Sequence, residues 1–588
     1  MSEELGASAA EDEVQQWVSV LLAAAIGGSV VDGSDGQPMP SLDAPWPEAR
    51  TIPAAALRQT LLSARDHRFD PQGLRITGMA LDDLVDLRHI EFPYPLHLVG
   101  CRLSEGLVMD RASFKDIHLT GSQVAGLLLD RASIDGNLFL DNGFTTIHGV
   151  SLSGASISGD INLCGAVLRN HKGWALRLDG AVVAGSVFGQ RGFAAIGGIR
   201  AYAVRIGGQL RISTAVLRAH AGIALGMDMA KIDGGIDAER ISAAGAVVAT
   251  RAEVLGEFSL DGAAIRNRGA IALALDGMHL KGSLYMRAGF MVVGRVHISS
   301  ARIDDQFALY GGTFVQPTGL ALALQGTTIG GDLIFAAPAL GGAGKSVIVS
   351  GIVQMIGANI GRVVLSGRGA LPTVDATGFT VTDVYGDLRD DWRFARRWLR
   401  NSPPEAISAQ PWHAVAAVYA RNGHPDMARR LRFAAAQHLT RNSPWSERVW
   451  RACYGAIVGY GYHWWRAGVW LLATVVAGIV IVSLNGKCVV PTDLAGARAA
   501  VAHHYQQRHE QPSSLDITAD SSCEMLGDYP CPSKAMFAIS VLAPAPLGVA
   551  PGWTVVGWLA IAMAALKSAI WALAAVFLAG MTGILQKL

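Results

Sequence analysis

The chain repeats itself with a step of 48 or 49 residues, and a repeat of that length limits what it can fold into more than any other property. AVLRNHKGWALRLDG (166–180), AVLRAHAGIALGMDM (215–229), AAIRNRGAIALALDG (263–277) and GTFVQPTGLALALQG (312–326) align without gaps, starting 49, 48 and 49 residues apart. Gly185, Gly234, Gly282 and Gly331 keep the same step, as do Ile157, Ile206, Val254 and Ile303. A fixed period of this kind is the signature of a solenoid, in which each unit buries its apolar face only against its neighbours.

Inside each unit, runs such as LRLD, INL, LRI and FSL alternate apolar and polar residues over a few positions and are separated by Gly, Asp and Asn. That is strand-and-turn chemistry, with no helical stripe. One unit holds several such strands, yet its register returns only once per repeat, so hairpins do not fit and stacked parallel coils do. Each repeat is then two coils of about 24 residues, each adding about 4.8 Å along the axis.

Upstream the pattern tightens. Phe114, Leu119, Val124, Leu129, Ile134, Phe139 and Phe144 fall five residues apart, and DRASF (110–114) returns as DRASI (130–134). This resembles the pentapeptide-repeat fold, which implies a square, right-handed coil of four five-residue sides with one large inward anchor per side. Ala112, Ser122 and Ala132, two places before their anchors, agree with it; Asn137 and Asn142 depart from it, and the five-step ends at Gly149. The expected fold is mainly β: an N-terminal helical or irregular cap (1–71), then one right-handed parallel β-helix over 72–386, its pentapeptide-like coils grading into the longer coils of the repeat.

A mean hydropathy of +0.30 is high for a soluble chain, and its source lies at the C-terminus. Residues 467–484 and 568–585 are each uncharged and close to the roughly 20 residues a bilayer core requires. Between 388 and 466 stand thirteen Arg against five acids, and between 487 and 552 four basic residues against six acids. Positive-inside then predicts two passes with both termini and the solenoid in the cytoplasm, and 485–567 as an extracytoplasmic loop with an interfacial segment. Lys567 is expected at the outer interface beside Trp553 and Trp558. If Trp553–Leu585 is one helix, Lys567 lies within the membrane and becomes a candidate functional residue. The net charge of +1 gives no bias toward nucleic acid, which is not expected as a partner.

The cysteines follow the same topology. Cys101, Cys164 and Cys453 fall in cytoplasmic segments, where thiols stay reduced and serve packing. Cys488, Cys523 and Cys531 fall in the outer loop, where the nearest pair, Cys523 and Cys531, is the first candidate for a disulfide, with other pairings open. Residues 387–466 form an Arg-rich helical adaptor. Within it PWHAVAAVYARNGHPDMARRLRFAAAQHL (411–439) reads as a tetratricopeptide-like hairpin broken at Asn422-Gly423, expected to cap the last coils.

Several motifs fail on spacing. LGGAGKS (340–346) lacks the first glycine of a phosphate loop and precedes a strand pattern. Val458-Gly459-Tyr460-Gly461 imitates a potassium filter but precedes the first span, and reads as a turn. His503, His504, His509 and Glu510 match no specific zinc pattern, so no metal site is assigned. Asp179, Asp228 and Asp276 recur two coils apart, roughly 10 Å, too far for a carboxylate pair, and read as turn residues. No catalytic residues can be assembled.

Taken in order, the run ALRLDGAVVAGSVFGQRGFAAIGGIRAYAVRIGGQLRI, the pentads before it, the QPWHAVAAVYARNGHPDMARRL hairpin, the GYGYHWWRAGVWLL entry to the first span and the closing AGMTGILQKL resemble bacterial, often actinobacterial, proteins identified as membrane-associated oxidoreductases. The resemblance implies a plasma-membrane location and redox chemistry with a bound cofactor. The residues themselves carry no dinucleotide fingerprint, haem attachment pattern or redox cysteine pair, so no cofactor is assigned. The expected function is a non-enzymatic scaffold or sensor with the lipid bilayer, protein partners or further copies as its contacts. The alternatives are the oxidoreductase and a small oligomeric channel or gating module centred on Lys567.

Overall fold

The computed structural model describes residues 2–34, 50–81, 83–336, 346–367, 371–463, 465–507, 516–524, 526, 529–531, 533–543 and 552–581. They divide into two compact units, Met1–Leu431 and Arg432–Leu588.

The first unit is a parallel β-solenoid of about 13 turns. Short strands on one coil pair in parallel with those on the next, so one interior column can be followed through the stack: Leu74, Leu96, Ile117, Leu138, Ile161, Val187, Leu210, Ile236, Phe258, Leu284, Phe307 and Leu333. All are buried. The column Ile157, Val183, Ile206, Ile232, Val254, Leu280 and Ile303 lines another inner side. The residues that mark the sequence repeat are therefore every second rung of a ladder that every coil shares.

The two coils of a repeat are unequal, in place of the equal pair expected. The steps from Ile161 to Val187, from Leu210 to Ile236 and from Phe258 to Leu284 are the same length. The alternate steps, from Val187 to Leu210, Ile236 to Phe258 and Leu284 to Phe307, are each three or four residues shorter. The difference arises chiefly at one corner. Leu168 to Leu176 takes eight steps, whereas their partners on the next coil, Ala195 to Ile199, take four. Leu217 to Leu225 and Ile265 to Leu273 again take eight, separated by Ala243 to Val247 with four. Every second coil thus carries a four-residue insert that projects outward, with Gly222, Gly269 and Gly319 at positive φ, while the inner columns stay in register.

A different corner explains the recurring glycines. The N–H of Gly185 donates to Gly159, that of Gly208 to Gly185, that of Gly234 to Gly208 and that of Gly256 to Gly234. A Cβ on Gly234 would lie 2.5 Å from the Gly208 carbonyl oxygen, a distance that real contacts do not reach. The Asp residues of the repeat close another turn. Asp179, Asp228 and Asp276 accept the backbone N–H of Tyr202, Thr250 and Ser299 on the following coils at 3.2, 3.2 and 2.8 Å.

Two anchor residues differ from expectation. Phe139 faces outward, half-buried, because Leu138 and Leu140 fill the interior. From Ile134 to Leu140 the chain takes six steps, the extra residue falling in Asp135-Gly136-Asn137, so the five-step breaks before Gly149. Phe144 is buried, but it occupies the small-residue column, since Thr146 is the partner of Val124.

Both ends of the stack are covered, which protects open strand edges from pairing with another chain. At the N-terminal end lie α1 (Ser2–Gly27), the strand Val30–Asp32 paired with Leu74–Thr77, and α2 (Ala54–Leu62). After the last coil come α3 (Asp387–Asp390), α4 (Trp392–Arg400) and α5 (Gln410–Arg421). The capping role expected of the hairpin is met by α5. Gln410 bonds Phe379 and Gly378, Asn422 bonds Asp383 at 3.0 Å, and Tyr419 donates to the Leu388 carbonyl. The second helix, α6 (Pro425–Asn442), follows a turn at Gly423 and runs across the boundary of the units.

The second unit continues with α7 (Trp445–Val458), α8 (Trp465–Leu484), α9 (Leu494–Gln507), α10 (Lys534–Leu542) and α11 (Trp558–Met581). α8 and α11 are long and apolar enough to cross a membrane. We predict that Phe258→Ala lowers solenoid stability by about 3–5 kcal/mol, whereas Phe139→Ala costs under about 1.5 kcal/mol. Urea unfolding followed by circular dichroism measures both, and equal losses would contradict the assigned facing of Phe139.

Candidate functional site

α11 is one unbroken helix from Trp558, so the second apolar span begins ten residues before the expected Ser568 and described residues end at Met581. The boundary expected at Lys567 fails because a charge ends an apolar segment without ending a helix. Lys567 is the tenth of 24 helical residues, about 14 Å from the helix start at 1.5 Å per residue. The packed face of α11 is Leu559, Met563, Leu566 and Ile570, and Lys567 lies on its flank, half-buried. α8, α10 and α11 contain no Asp or Glu. In a bilayer an ammonium near mid-helix without an acidic partner costs about 2.5–3.5 kcal/mol on insertion scales.

Close contacts hold these helices together. A Cβ on Gly468 would meet the Phe577 ring at 2.9 Å, and one on Gly478 would clash with Leu542. Gly478 stands six residues before the end of α8, so the short α10 packs about 9 Å along α8 from its end. α10 is a third apolar element in this bundle, unforeseen because nine residues fall below the length of a span.

The segment between α8 and α11 is folded, and Val489, Ala519, Leu526 and Trp553 join the buried cluster of α8, α10 and α11. Val489–Pro491 pairs antiparallel with Trp553–Val555. Tyr529 donates to Gly552 at 2.6 Å and the Trp553 indole to Pro530 at 2.9 Å. Cys523 and Cys531 are bonded with Cα atoms 5.4 Å apart, and Cys488 is free. His503 and His504 lie side by side on α9, and His509 and Glu510 are outside the described residues. Among the described residues no group of three His, Cys, Asp or Glu could hold a metal ion.

At the start of α8 an aromatic cluster forms. Phe433 packs on Tyr460 and on His463, with the Arg466 guanidinium 5.7 Å from the Phe433 ring. Gly459 ends α7 in the left-handed conformation and Tyr460 and Gly461 continue the turn, as expected of the Val458–Gly461 stretch. Trp445 and Trp450 on α7 are 80 % and 74 % exposed. Of the phosphate-loop lookalike, residues 340–345 are outside the described residues.

On the solenoid, burial pushes the Cys101 thiol up to about 12, which leaves it an inert packing group. Phe139 stacks on His118 at 4.3 Å, and His118 on His97 at 4.1 Å. The three stand on successive coils, one above another in the ladder, and so lie too far apart in sequence for the stack to show there. Burial, with His118 and Arg75 adding to it, lowers His97 to about 4, while Asp116 acts in the opposite direction. His118 is also lowered, chiefly by burial.

No protein-family description, curated protein or solved structure matches this chain.

Because the fold favours neutral His97, protonation opposes folding. Stability conferred above pH 6.5 is expected to decline as pH falls toward 4. His97→Gln should flatten that slope in thermal unfolding measured across this window. Lys567→Leu should raise membrane insertion of α11 by roughly tenfold or more in a glycosylation-mapping assay; no gain would mean that the lysine reaches an aqueous or polar partner.

Proposed function

We propose that this protein is a membrane-anchored β-solenoid scaffold, held by α8 and α11 and presenting its coils as a rigid docking surface. The observation that carries this reading is the outward apolar surface of the two helices. Only 17 % and 11 % of their apolar windows are buried, and Leu472, Val476, Ile561 and Leu578 are among the exposed side chains. A core helix of a soluble domain would be mostly covered, and apolar surface on this scale calls for lipid.

Thirteen Arg against five acids between 388 and 466 favour a cytoplasmic location for the solenoid on the inner face of a plasma membrane. The segment between α8 and α11 then lies outside, where a Cys523–Cys531 disulfide persists and the segment could register an envelope signal. The small and large inward residues at five-residue spacing upstream support a right-handed, pentapeptide-like winding of the first coils. The solenoid's partners are proteins or further copies of the chain, met on its long faces.

A second reading, a small oligomeric channel or gating module, is favoured by the position of Lys567 alone. Unchanged conductance of Lys567→Ala in reconstituted vesicles would remove it.

The exposed Cys453 supplies a native topology probe. The full chain should resist alkaline extraction from membranes, and an impermeant maleimide should label Cys453 in inverted vesicles but not in intact cells. Release by alkali would sink the anchor. A stoichiometric flavin, haem or nicotinamide freed by denaturing the purified protein would replace the scaffold with a redox enzyme.

A further inference from the structure

The inserts of the long coils line one edge of the solenoid, and that edge has a single sign of charge. The inserts lie in one of the solenoid's parallel sheets, and in the strands of that sheet between Val167 and Ala323 every Lys, Arg, Asp or Glu is an arginine. Arg169, Arg218 and Arg266 occupy one outward column, separated by Ile196 and Ala244 on the short coils. They therefore recur every two coils, about 9.6 Å apart. Lys172 and Arg268 extend the row at the insert tips, and Arg295 is paired beside Ile271. The other sheet over the same coils mixes signs, with Asp237 and Glu253 among Arg205, Arg211 and Lys231.

Arg200 of this sheet is paired with Asp179 at 3.3 Å, but the cations of the row are available. Among the described residues, ion pairs in this stretch involve Arg200, Arg211, Lys231, His279, Arg287 and Arg302, and none involves Arg169, Arg218, Arg266 or Arg268. Nearby carboxylates are those of Asp179, Asp228 and Asp276, each of which accepts a backbone N–H of the next coil. Arg218, Arg266, Arg268 and Lys172 are exposed. The chain as a whole is almost neutral at +1, so this edge is a local feature and not a consequence of composition.

We propose that the arginine edge docks on anionic lipid headgroups of the membrane that anchors the chain. This rests on the anchored, cytoplasmic reading above. The occupant is chosen by charge complementarity: the cytoplasmic leaflet presents a continuous anionic surface, which attracts Lys and Arg without requiring a groove. Flat, repeated cations match a surface of many mobile anions, whereas base recognition requires an element shaped to enter a groove.

The test uses the full chain in vesicles of phosphatidylcholine with or without phosphatidylglycerol. A photoactivatable benzoylphenylalanine is placed at Lys172 on the edge or at Lys281 on the opposite corner, and lipid adducts are read by mass spectrometry. Adducts at 172 should rise with phosphatidylglycerol, fall at high salt and drop about tenfold in Arg218→Gln/Arg266→Gln/Arg268→Gln, while position 281 stays low. Circular dichroism of the variant should be unchanged. Equal adducts at both positions, or none at 172 in anionic vesicles, would overturn the proposal, as would preferential crosslinking of 172 to added RNA or to a soluble acidic protein. Alkaline extraction of the same samples separates the two failures: anchored protein without adducts refutes the docking alone, and extracted protein refutes the anchor.

Discussion

The structure depends on one requirement: each coil must satisfy its backbone hydrogen bonds with the coils before and after it. Strands of two residues cannot stand alone, and here Leu176–Arg177 is ordered because Val150–Ser151 and Ile199–Arg200 flank it in register. A slip by one residue would turn the apolar column outward. Length can vary only where the chain leaves the ladder, at corners. The glycine corner tolerates no added atom, since a Cβ at Gly234 meets the Gly208 carbonyl. The corner between Leu168 and Leu176 faces open solvent and accepts four additional residues.

This asymmetry accounts for how much could be read from the residues alone. A parallel coil architecture follows from gapless repeats because the interior column forces the same residue class back at each turn. The unequal coils were not legible, because the repeat period constrains the sum of two coils and leaves its division open. Phe139 shows a related limit. The five-step predicts an inward side chain, yet Asp135-Gly136-Asn137 adds one residue at the corner, and a single added residue reverses the facing of the next strand. His118 and Phe139 then meet on the outside at 4.3 Å although they stand on successive coils, a contact that periodicity within a coil cannot reveal.

In the second unit the apolar segments were visible and their limits were not. Hydropathy locates α8 to within two residues, since nothing but apolar and small side chains lies between Ala467 and Leu484. For α11 the same measure stops at Lys567, whereas the backbone continues the helix because each N–H there finds its carbonyl four residues back whatever the side chain carries. The charge is tolerated locally by backbone geometry, and its cost arises only when the helix enters lipid. α10 is hidden for the opposite reason. Nine residues are too few to span, and its value lies in filling the space beside Gly478 that the small side chain leaves open.

The four-residue insert separates the part of each coil that folding requires from the part it leaves free. The shorter coils from Leu96 to Ile161 complete the interior without an insert, and the long coils place Leu168 and Leu176 in the same columns that Ala195 and Ile199 fill with four residues fewer. The insert adds no rung to the ladder, and ordering its residues costs conformational entropy. Folding alone therefore supplies no reason for it to recur in alternate coils with arginine at its base in three consecutive repeats. Its regularity is inherited from the repeat, but its sign of charge is not, since any polar residue would serve a solvated corner. The insert is thus the part of the repeating unit whose chemistry points outward, away from the core and toward whatever the solenoid meets.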